Sequence, residues 1–171
     1  MHQIQEGKPD ANIENLRNAI EHRATWFYLL MDEARKMGVD EEAMARNAVF
    51  RCGCLHGEKI REACENPDSL ADFARAFATE TGRKVFAMDI VKSGGDELEI
   101  HFHYCPLVSA WQKLGSSPED LALLCDIAMD GDRGIASLFP AFSFELGDTI
   151  AQGHPSCRLR FLKNKGLKDR G

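Results

Sequence analysis

The amino-terminal part of the chain has the pattern of helices. Apolar residues between Leu16 and Ala34 recur at spacings of three, four or seven, which marks one helical face, and Gly38 supplies a stop. Trp26 and Leu29 lie off that face. Because a helix that is apolar on two sides usually has two neighbours, we expect this one to be central in the fold or to form a homo-oligomer interface.

Two further helices are predicted in the first half of the chain. Asp40 is suited to cap a helix that runs to about Glu65, where Pro67 ends it. Ser69 opens a shorter helix that stops at Gly82. The first half of the chain is therefore predicted to be helical.

The pattern then changes to the two-residue period of β-strands. The predicted strands cover residues 83–92, 97–104, 142–151 and 156–163. Between the second and third strands, one helix follows Pro106, and Ser117 with Pro118 starts another. The sequence thus predicts an α+β fold, with amino-terminal helices packed on a four-stranded, mainly antiparallel sheet in the order β-β-α-α-β-β.

Composition narrows the class of protein. At 171 residues the chain is the size of one domain, and we expect residues 1–11 and 164–171 to be disordered tails. A net charge of -6 argues against a nucleic-acid partner and favours a small molecule. The start lacks a secretory signal and no run is long enough to cross a membrane, so we predict a cytoplasmic location and free thiols for all six cysteines.

Histidine and cysteine come together at the end of the second predicted strand. His101, His103 and Cys105 occupy alternate positions, so all three would project from one face if the strand continued to Cys105. Imidazole and thiolate suit zinc, although this pattern lacks a firm fourth ligand. The alternative is that these residues decorate a solvated face beside Glu97 and Glu99.

A second group of candidate residues lies on the helix that starts at Ser117. Cys125 lies beside Asp126 and Asp130, which share one helical face. Like charges four residues apart repel unless a cation lies between them, and Arg133 or a cationic substrate could supply it. The alternative is a solvated acidic face with Cys125 turned toward the core.

The last predicted strand carries a third group. Its alternation places Cys157 on the core side and Arg158 and Arg160 on the other side, where the arginines are either exposed or available to bind a carboxylate. The sequence contains no Walker loop, GxGxxG, GxSxG or HExxH motif. These absences argue against nucleotide-dependent, serine-hydrolase and zinc-protease chemistry.

Several segments together resemble the L-2-amino-thiazoline-4-carboxylic acid hydrolase family. They are HYCPLVSAW, KLG, LCDIAMD, FELGDTIAQG and SCRLRF, within roughly residues 85–162. The resemblance implies hydrolytic opening of a 2-aminothiazoline ring toward a carbamoyl-cysteine, a step on a route to L-cysteine. The spacing from Gly153 to Cys157 also resembles 4-vinyl reductase-type domains, which are small-molecule-binding modules often associated with cysteine-bound metal.

Ring opening of this kind requires a nucleophile at the amidine carbon, a carboxylate for the amidinium and a cation for the substrate carboxylate. Cys105 beside His103 is the first choice of nucleophile and Cys125 the second, and a metal-bound water could replace either thiolate. Asp126 or Asp130 would bind the amidinium. The predicted substrate-binding residues are Trp111, Arg158 and Arg160. The predicted zinc ligands are His101, His103, Cys105, Cys125 and Cys157.

The sequence also permits functions without catalysis. One is a module that binds a metal or a small molecule through Cys105, Cys125 and Cys157. Another is a structural or interaction protein in which these cysteines are simply buried.

Overall fold

The computed structural model describes residues 10–164. Its helices are α1 (Ala11–Lys36), α2 (Glu41–Ala63), α3 (Leu70–Phe77), α4 (Glu80–Phe86), α5 (Pro106–Lys113), α6 (Pro118–Ala128) and α7 (Asp130–Ala136). Its strands are β1 (Met88–Ser93), β2 (Glu97–Phe102), β3 (Phe142–Leu146) and β4 (Cys157–Lys163), and a short 3-10 helix spans Ile150–Gln152. The predicted α+β class is confirmed.

Three predicted boundaries were wrong, and two of them have a local cause in the structure. The helix expected to stop at Gly82 is two helices, because the Thr79 side chain accepts a hydrogen bond from the Gly82 amide and caps a new one. β1 consequently begins only after Ala87, whose left-handed backbone ends α4. The strand expected over 142–151 ends at Leu146 and is followed by a loop and the 3-10 helix.

The predicted tails fall mostly on residues 1–9 and 165–171, which lie outside the described residues. At the described edges the chain is ordered. Ala11 already belongs to α1, with Asp10 as its cap. The Asn164 amide donates a hydrogen bond to the Ala141 carbonyl at 2.9 Å.

The sheet is antiparallel throughout, in the order β1-β2-β4-β3. In the register of β2 with β4, Ile100 lies opposite Leu159 and both are fully buried. The next pair along, His101 opposite Arg158, projects from the other face of the sheet. The sheet therefore has an inner, apolar face toward the helices and an outer, charged face.

The interior consists of two hydrophobic clusters. One lies between the inner face of the sheet and α2, α3 and α7, and its buried centre includes Phe73, Phe139 and Leu159. The other lies among α1, α5 and α6 around Trp111 and Ile127. The side chains of Met129 and Ile150 pack against both clusters. We call the boundary between the two clusters, where Met129 and Ile150 lie, the seam.

Glycines set the position of α7 on α2. A Cβ atom at Gly134 would lie 2.3 Å from the Phe50 carbonyl oxygen, and one at Gly53 would lie 2.1 Å from that of Gly131. Such distances are far inside van der Waals contact, so the two backbones approach this closely only because side chains are absent. One turn after Gly131, the backbone of Ile135 also lies close to α2, where a Cβ atom at Gly57 would be 3.0 Å from Ile135 Cα. The Ile135 side chain belongs to the sheet cluster.

Helix α1 contributes one buried side to the second cluster through Ala24 and Met31. Its other side leaves Trp26 and Leu30 each 62% exposed. The helix is therefore peripheral to the monomer rather than central. The predicted homo-oligomer through α1 stays a prediction.

Candidate functional site

Three cysteines lie near the seam. Cys157, 4% exposed, belongs to the sheet cluster, and Cys125, 6% exposed, belongs to the helical cluster. Cys105 packs against the helical cluster and keeps part of its surface accessible. Burial is the main cause that raises the pKa of Cys125, and the proximity of Cys157 and Cys105 raises it further. The three thiols predicted as a group therefore lie near one another.

Different backbone segments hold the three thiols. The Ile150 amide donates to Cys157 Sγ at 3.3 Å. Burial raises the pKa of Cys125 to about 12, although a hydrogen bond with the Thr149 hydroxyl opposes the shift. The loop that carries Thr149 and Ile150 thus connects two of the three thiols, one from each cluster.

Cys105 occupies the N-cap position of α5, just before Pro106. Its thiol does not reach the geometry of a capping hydrogen bond. Burial raises the pKa of Cys105 to about 11, and the nearby N–H groups of Val108 and Leu107 oppose that shift by favouring the thiolate. In the resting protein this thiol is therefore protonated at neutral pH.

Asp132, which the sequence reasoning missed, is the fourth member of this group. Burial raises the pKa of Asp132 to about 7. Its negative charge adds to the effect of burial in raising the pKa of both Cys105 and Cys157. A signal was present in the sequence: Asp132 lies one turn from Met129 and one turn from Ile135, so it is an acidic residue on the apolar side of α7.

Asp126 and Asp130 lie in a different environment. Arg133 contacts Asp126 at 2.6 Å and Asp130 at 2.7 Å, and Arg46 contacts the same two carboxylates at 2.8 Å and 3.0 Å. We call these four residues the ion cluster. Burial opposes ionisation of Asp126, but the hydrogen bonds from both arginines outweigh it and lower its pKa. The predicted contribution of Arg133 is confirmed, and Arg46 from α2 completes the cluster.

The ion cluster changes the role expected for these two aspartates. Each carboxylate already accepts hydrogen bonds from two guanidinium groups of the protein. The reason for assigning the substrate amidinium to Asp126 or Asp130 is thereby removed.

The condition under which His101, His103 and Cys105 would share one strand face is not met. β2 ends at Phe102, so the alternation does not reach Cys105. His101 contacts Glu99 at 2.6 Å on the outer face of the sheet, and His103, 44% exposed, contacts Asp89 at 3.0 Å. Among the described residues no hydrogen bond joins His103 to Cys105, so the expected imidazole partner of the thiol is absent from the seam.

The predicted substrate-binding residues lie away from the seam as well. Trp111 is fully buried, and its Nε1 donates to the Ala24 carbonyl at 3.1 Å, which makes it a core residue. Arg160 contacts Glu97 at 3.0 Å and Glu145 at 2.9 Å on the outer face. Arg158 contacts Glu99 and Asp148 there, at 3.4 Å and 3.6 Å. Both arginines are paired within the protein.

Within residues 10–164, no three histidine, cysteine or acidic side chains are grouped closely enough to hold one metal ion. Of the predicted zinc ligands, His101 lies on the outer face of the sheet and His103 contacts Asp89 just beyond the end of β2, whereas the three cysteines lie near the seam. Zinc ligation by Cys105, Cys125 and Cys157 stays a prediction, and it would require these side chains to move closer together.

Fold and site together define an α+β domain with two buried thiols and one partly accessible thiol near the boundary between two hydrophobic clusters. The family model described as L-2-amino-thiazoline-4-carboxylic acid hydrolase matches residues 17–161, which include every residue of the seam named above. The chain belongs to that family. No curated protein matches the chain.

A solved structure of similar fold is a trafficking protein particle complex subunit 3 from Naegleria fowleri, described as covalently bound to palmitic acid. It is 13% identical, with a TM-score of 0.57 over 87% of this chain and 97% of that one. At this identity the likeness concerns the fold alone. None of the described helices is both long enough and apolar enough to span a bilayer.

Proposed function

We propose that the protein is a hydrolase that opens small cyclic amidines of the 2-aminothiazoline-4-carboxylate class, with Cys105 as the nucleophile. The observation that carries this proposal is the placement of the partly accessible Cys105 thiol near the seam, beside the first amides of α5. Membership of the family supports the type of reaction.

Cys105 is favoured over the other two thiols by access and by electrostatics. It keeps accessible surface, whereas Cys125 and Cys157 are buried. The N–H groups of Leu107 and Val108 favour its thiolate. A helix N-terminus lowers the free energy of a nearby anion, which helps a thiol that must ionise during the reaction.

The reaction can proceed in two balanced steps. In the first, Cys105 Sγ bonds to the amidine carbon, the ring C–S bond breaks, and the ring sulfur leaves as a thiol with the proton that Cys105 gives up. In the second, water attacks the same carbon, the bond to Cys105 breaks and its thiol re-forms. The sum is addition of water, and the product is a carbamoyl-cysteine.

The test is hydrolysis of L-2-amino-thiazoline-4-carboxylate by the purified full chain, with carbamoyl-cysteine measured by mass spectrometry. We expect Cys105→Ser to lower kcat by at least about a hundredfold, because a hydroxyl is a much weaker nucleophile than a thiolate. Cys52→Ser, on an exposed thiol of α2, is the matched control and should retain full activity. Unchanged turnover in Cys105→Ser would rule out this nucleophile, and absence of turnover in the wild type would rule out the hydrolase.

A second candidate is a binding module that holds a small molecule or a metal without turnover. The raised pKa of each of the three thiols favours it, because protonated thiols are poor nucleophiles. Binding of the same compound without product would support this function. Elemental analysis of protein never exposed to chelator distinguishes a metal-binding module from one that binds a small molecule, because a metal-binding module should carry close to one equivalent of zinc.

A further inference from the structure

One side of helix α1 exposes large apolar side chains that the monomer does not cover. Trp26 and Leu30 are each 62% exposed, Leu29 is 49% exposed, and Met37, the C-cap, is 78% exposed. Single exposed apolar residues are ordinary, but a group of large ones within about three turns of one helix is typical of an interaction surface. This side of α1 is therefore a candidate contact surface.

The exposed positions follow the seven-residue repeat of paired helices. We call the α1 strip the six exposed residues that alternate at spacings of four and three along the helix and its C-cap: Ala19, Arg23, Trp26, Leu30, Glu33 and Met37. A strip with this 3.5-residue period stays in contact with a second helix, because two supercoiled helices present the same period to each other. The spacing therefore favours a helix as the partner of this surface.

The charged positions of the α1 strip indicate which helix fits. A second copy of α1 can pack antiparallel so that Trp26 lies opposite Leu30 of that copy. In this register the facing pairs are Trp26 with Leu30, Arg23 with Glu33, and Ala19 with Met37, all centred on Tyr28. The apolar residues thus meet apolar residues, and each arginine meets a carboxylate.

A parallel pairing lacks this complementarity. It would place Arg23 beside Arg23 of the second copy and Glu33 beside Glu33, and like charges that face each other disfavour a complex. The antiparallel pairing gives an ion pair on either side of an apolar centre, with the two-fold symmetry of most homodimers. The α1 strip is therefore complementary to itself in one orientation.

The side chains of the α1 strip are available for these contacts. Arg23 is exposed and forms no ion pair within the described part of the chain. Glu33 contacts Lys36 at 2.7 Å, but Lys36 also contacts a second carboxylate at 2.7 Å and so keeps a partner if Glu33 turns away. The Trp26 indole N–H donates to His22 Nε2 at 3.1 Å within the same helix, so an apolar partner can cover the ring without leaving this donor unsatisfied.

We propose that the protein forms a two-fold symmetric dimer in which α1 packs antiparallel against α1 of a second copy. Trp26, Leu29 and Leu30 of both copies form the centre of the contact. Arg23 of each copy pairs with Glu33 of the other. The inference does not depend on the proposed hydrolase activity, whose nucleophile lies at the start of α5.

The experiment measures the mass of the full chain by sedimentation equilibrium at about 1 to 100 µM, because mass action makes a dimer depend on protein concentration. We expect a monomer–dimer equilibrium. Leu30→Ser should raise the dimer dissociation constant at least about tenfold, since it removes apolar area from the centre on both copies. Leu55→Ser on α2 is the matched control, because Leu55 is 63% exposed and Leu30 62%. It should leave the constant within about twofold of the wild type.

A charge-reversal cycle tests the register. Arg23→Glu and Glu33→Arg, each made alone, place like charges opposite one another, and each should weaken the dimer at least about fivefold. The double variant restores opposite charges and should recover the wild-type constant within about threefold. Recovery would report a contact between copies, because residues 23 and 33 are about 15 Å apart along one helix. Circular dichroism of every variant should match the wild type, since all the substituted side chains are exposed.

A chain that stays monomeric at about 100 µM would overturn the inference. Equal loss of dimer in Leu30→Ser and Leu55→Ser would overturn it as well. A double charge variant as weak as the single variants would overturn the antiparallel register. A monomer that co-sediments with vesicles of phosphatidylcholine and phosphatidylserine would assign the surface to lipid and not to a second copy.

Discussion

The ion cluster and the seam contain the same kind of group in opposite situations. Asp126 and Asp130 are held by Arg46 and Arg133, and the pKa of Asp126 is lowered in spite of burial. Asp132, two residues after Asp130, has no such partner among residues 10–164, and its pKa is raised to about 7. The comparison shows that the presence of acidic residues in the sequence is not enough to locate the candidate site. What distinguishes the seam carboxylate is the absence of a cation that the protein supplies to its neighbours.

The largest expected effect on stability comes from removing one arginine of the ion cluster. Arg133→Met leaves Asp126 and Asp130 with Arg46 alone, and we expect a loss of about 2 kcal/mol in the free energy of unfolding at pH 7, since Asp130 is mostly buried. Chemical denaturation measures it. Arg75→Met, which removes an exposed pair with Asp72, should cost less than about 0.5 kcal/mol. Because the pKa of Asp126 is lowered in the fold, the loss should shrink as pH falls and the carboxylates protonate.

The next largest effect is a gain in stability, which we expect from Asp132→Asn. The pKa of Asp132 is about 7 in the fold, above its ordinary value of 3.8, so the folded state binds the extra proton between these values and stability falls as pH rises through that window. Asp132→Asn removes this penalty. We expect it to raise the free energy of unfolding by about 1–2 kcal/mol at pH 8 and to have little effect near pH 4.

Asp126→Asn provides the contrast for that measurement. It breaks hydrogen bonds to Arg46 and Arg133, so it should destabilise at pH 8 while Asp132→Asn stabilises. If Asp126→Asn and Asp132→Asn both raised, or both lowered, the free energy of unfolding at pH 8, the distinction between the ion cluster and the seam would be contradicted.

The smallest effect concerns the reactivity of the thiol. The charge of Asp132 raises the pKa of Cys105, so Asp132→Asn should lower that pKa and speed alkylation of Cys105 by iodoacetamide about threefold at pH 8. Peptide mass spectrometry gives the rate at each cysteine. The exposed thiol of Cys52 serves as internal reference and should react equally in both proteins. Unchanged labelling of Cys105 would place the carboxyl group too far away to act on it.

Much of the fold could be predicted from local pattern. The caps at Asp40, Ser69 and Ser117 act within a single turn, and each accepts the hydrogen bond that its position predicts. Alternation along β2 and β4 correctly separated the buried side from the charged side. Where prediction failed, between Gly82 and Met88, a second cap and one left-handed residue overrode the strand-like composition.

The grouping of residues at the candidate site could be predicted only in part. Cys105, Cys125 and Cys157 were recognised by residue type and by family resemblance, and all three lie near the seam. His103 was assigned to them by proximity in the sequence, but the strand ends before Cys105 and the imidazole lies beside Asp89. Asp132 is absent from the predicted site because its sequence signal is its spacing from Met129 and Ile135, and not a spacing of three or four from another carboxylate.

The sequence by itself determined the α+β class, most of the helices and strands, the two faces of the sheet and the family. These follow from interactions that span a few residues, and periodicity records them directly. Only the tertiary structure decided that Arg46, 80 and 84 residues away, pairs with Asp126 and Asp130, while no side chain in the described part of the chain pairs with Asp132. The ionisation of a buried group depends on the groups that surround it in space. Glycine contacts and the register of the sheet bring together segments that are far apart in the sequence.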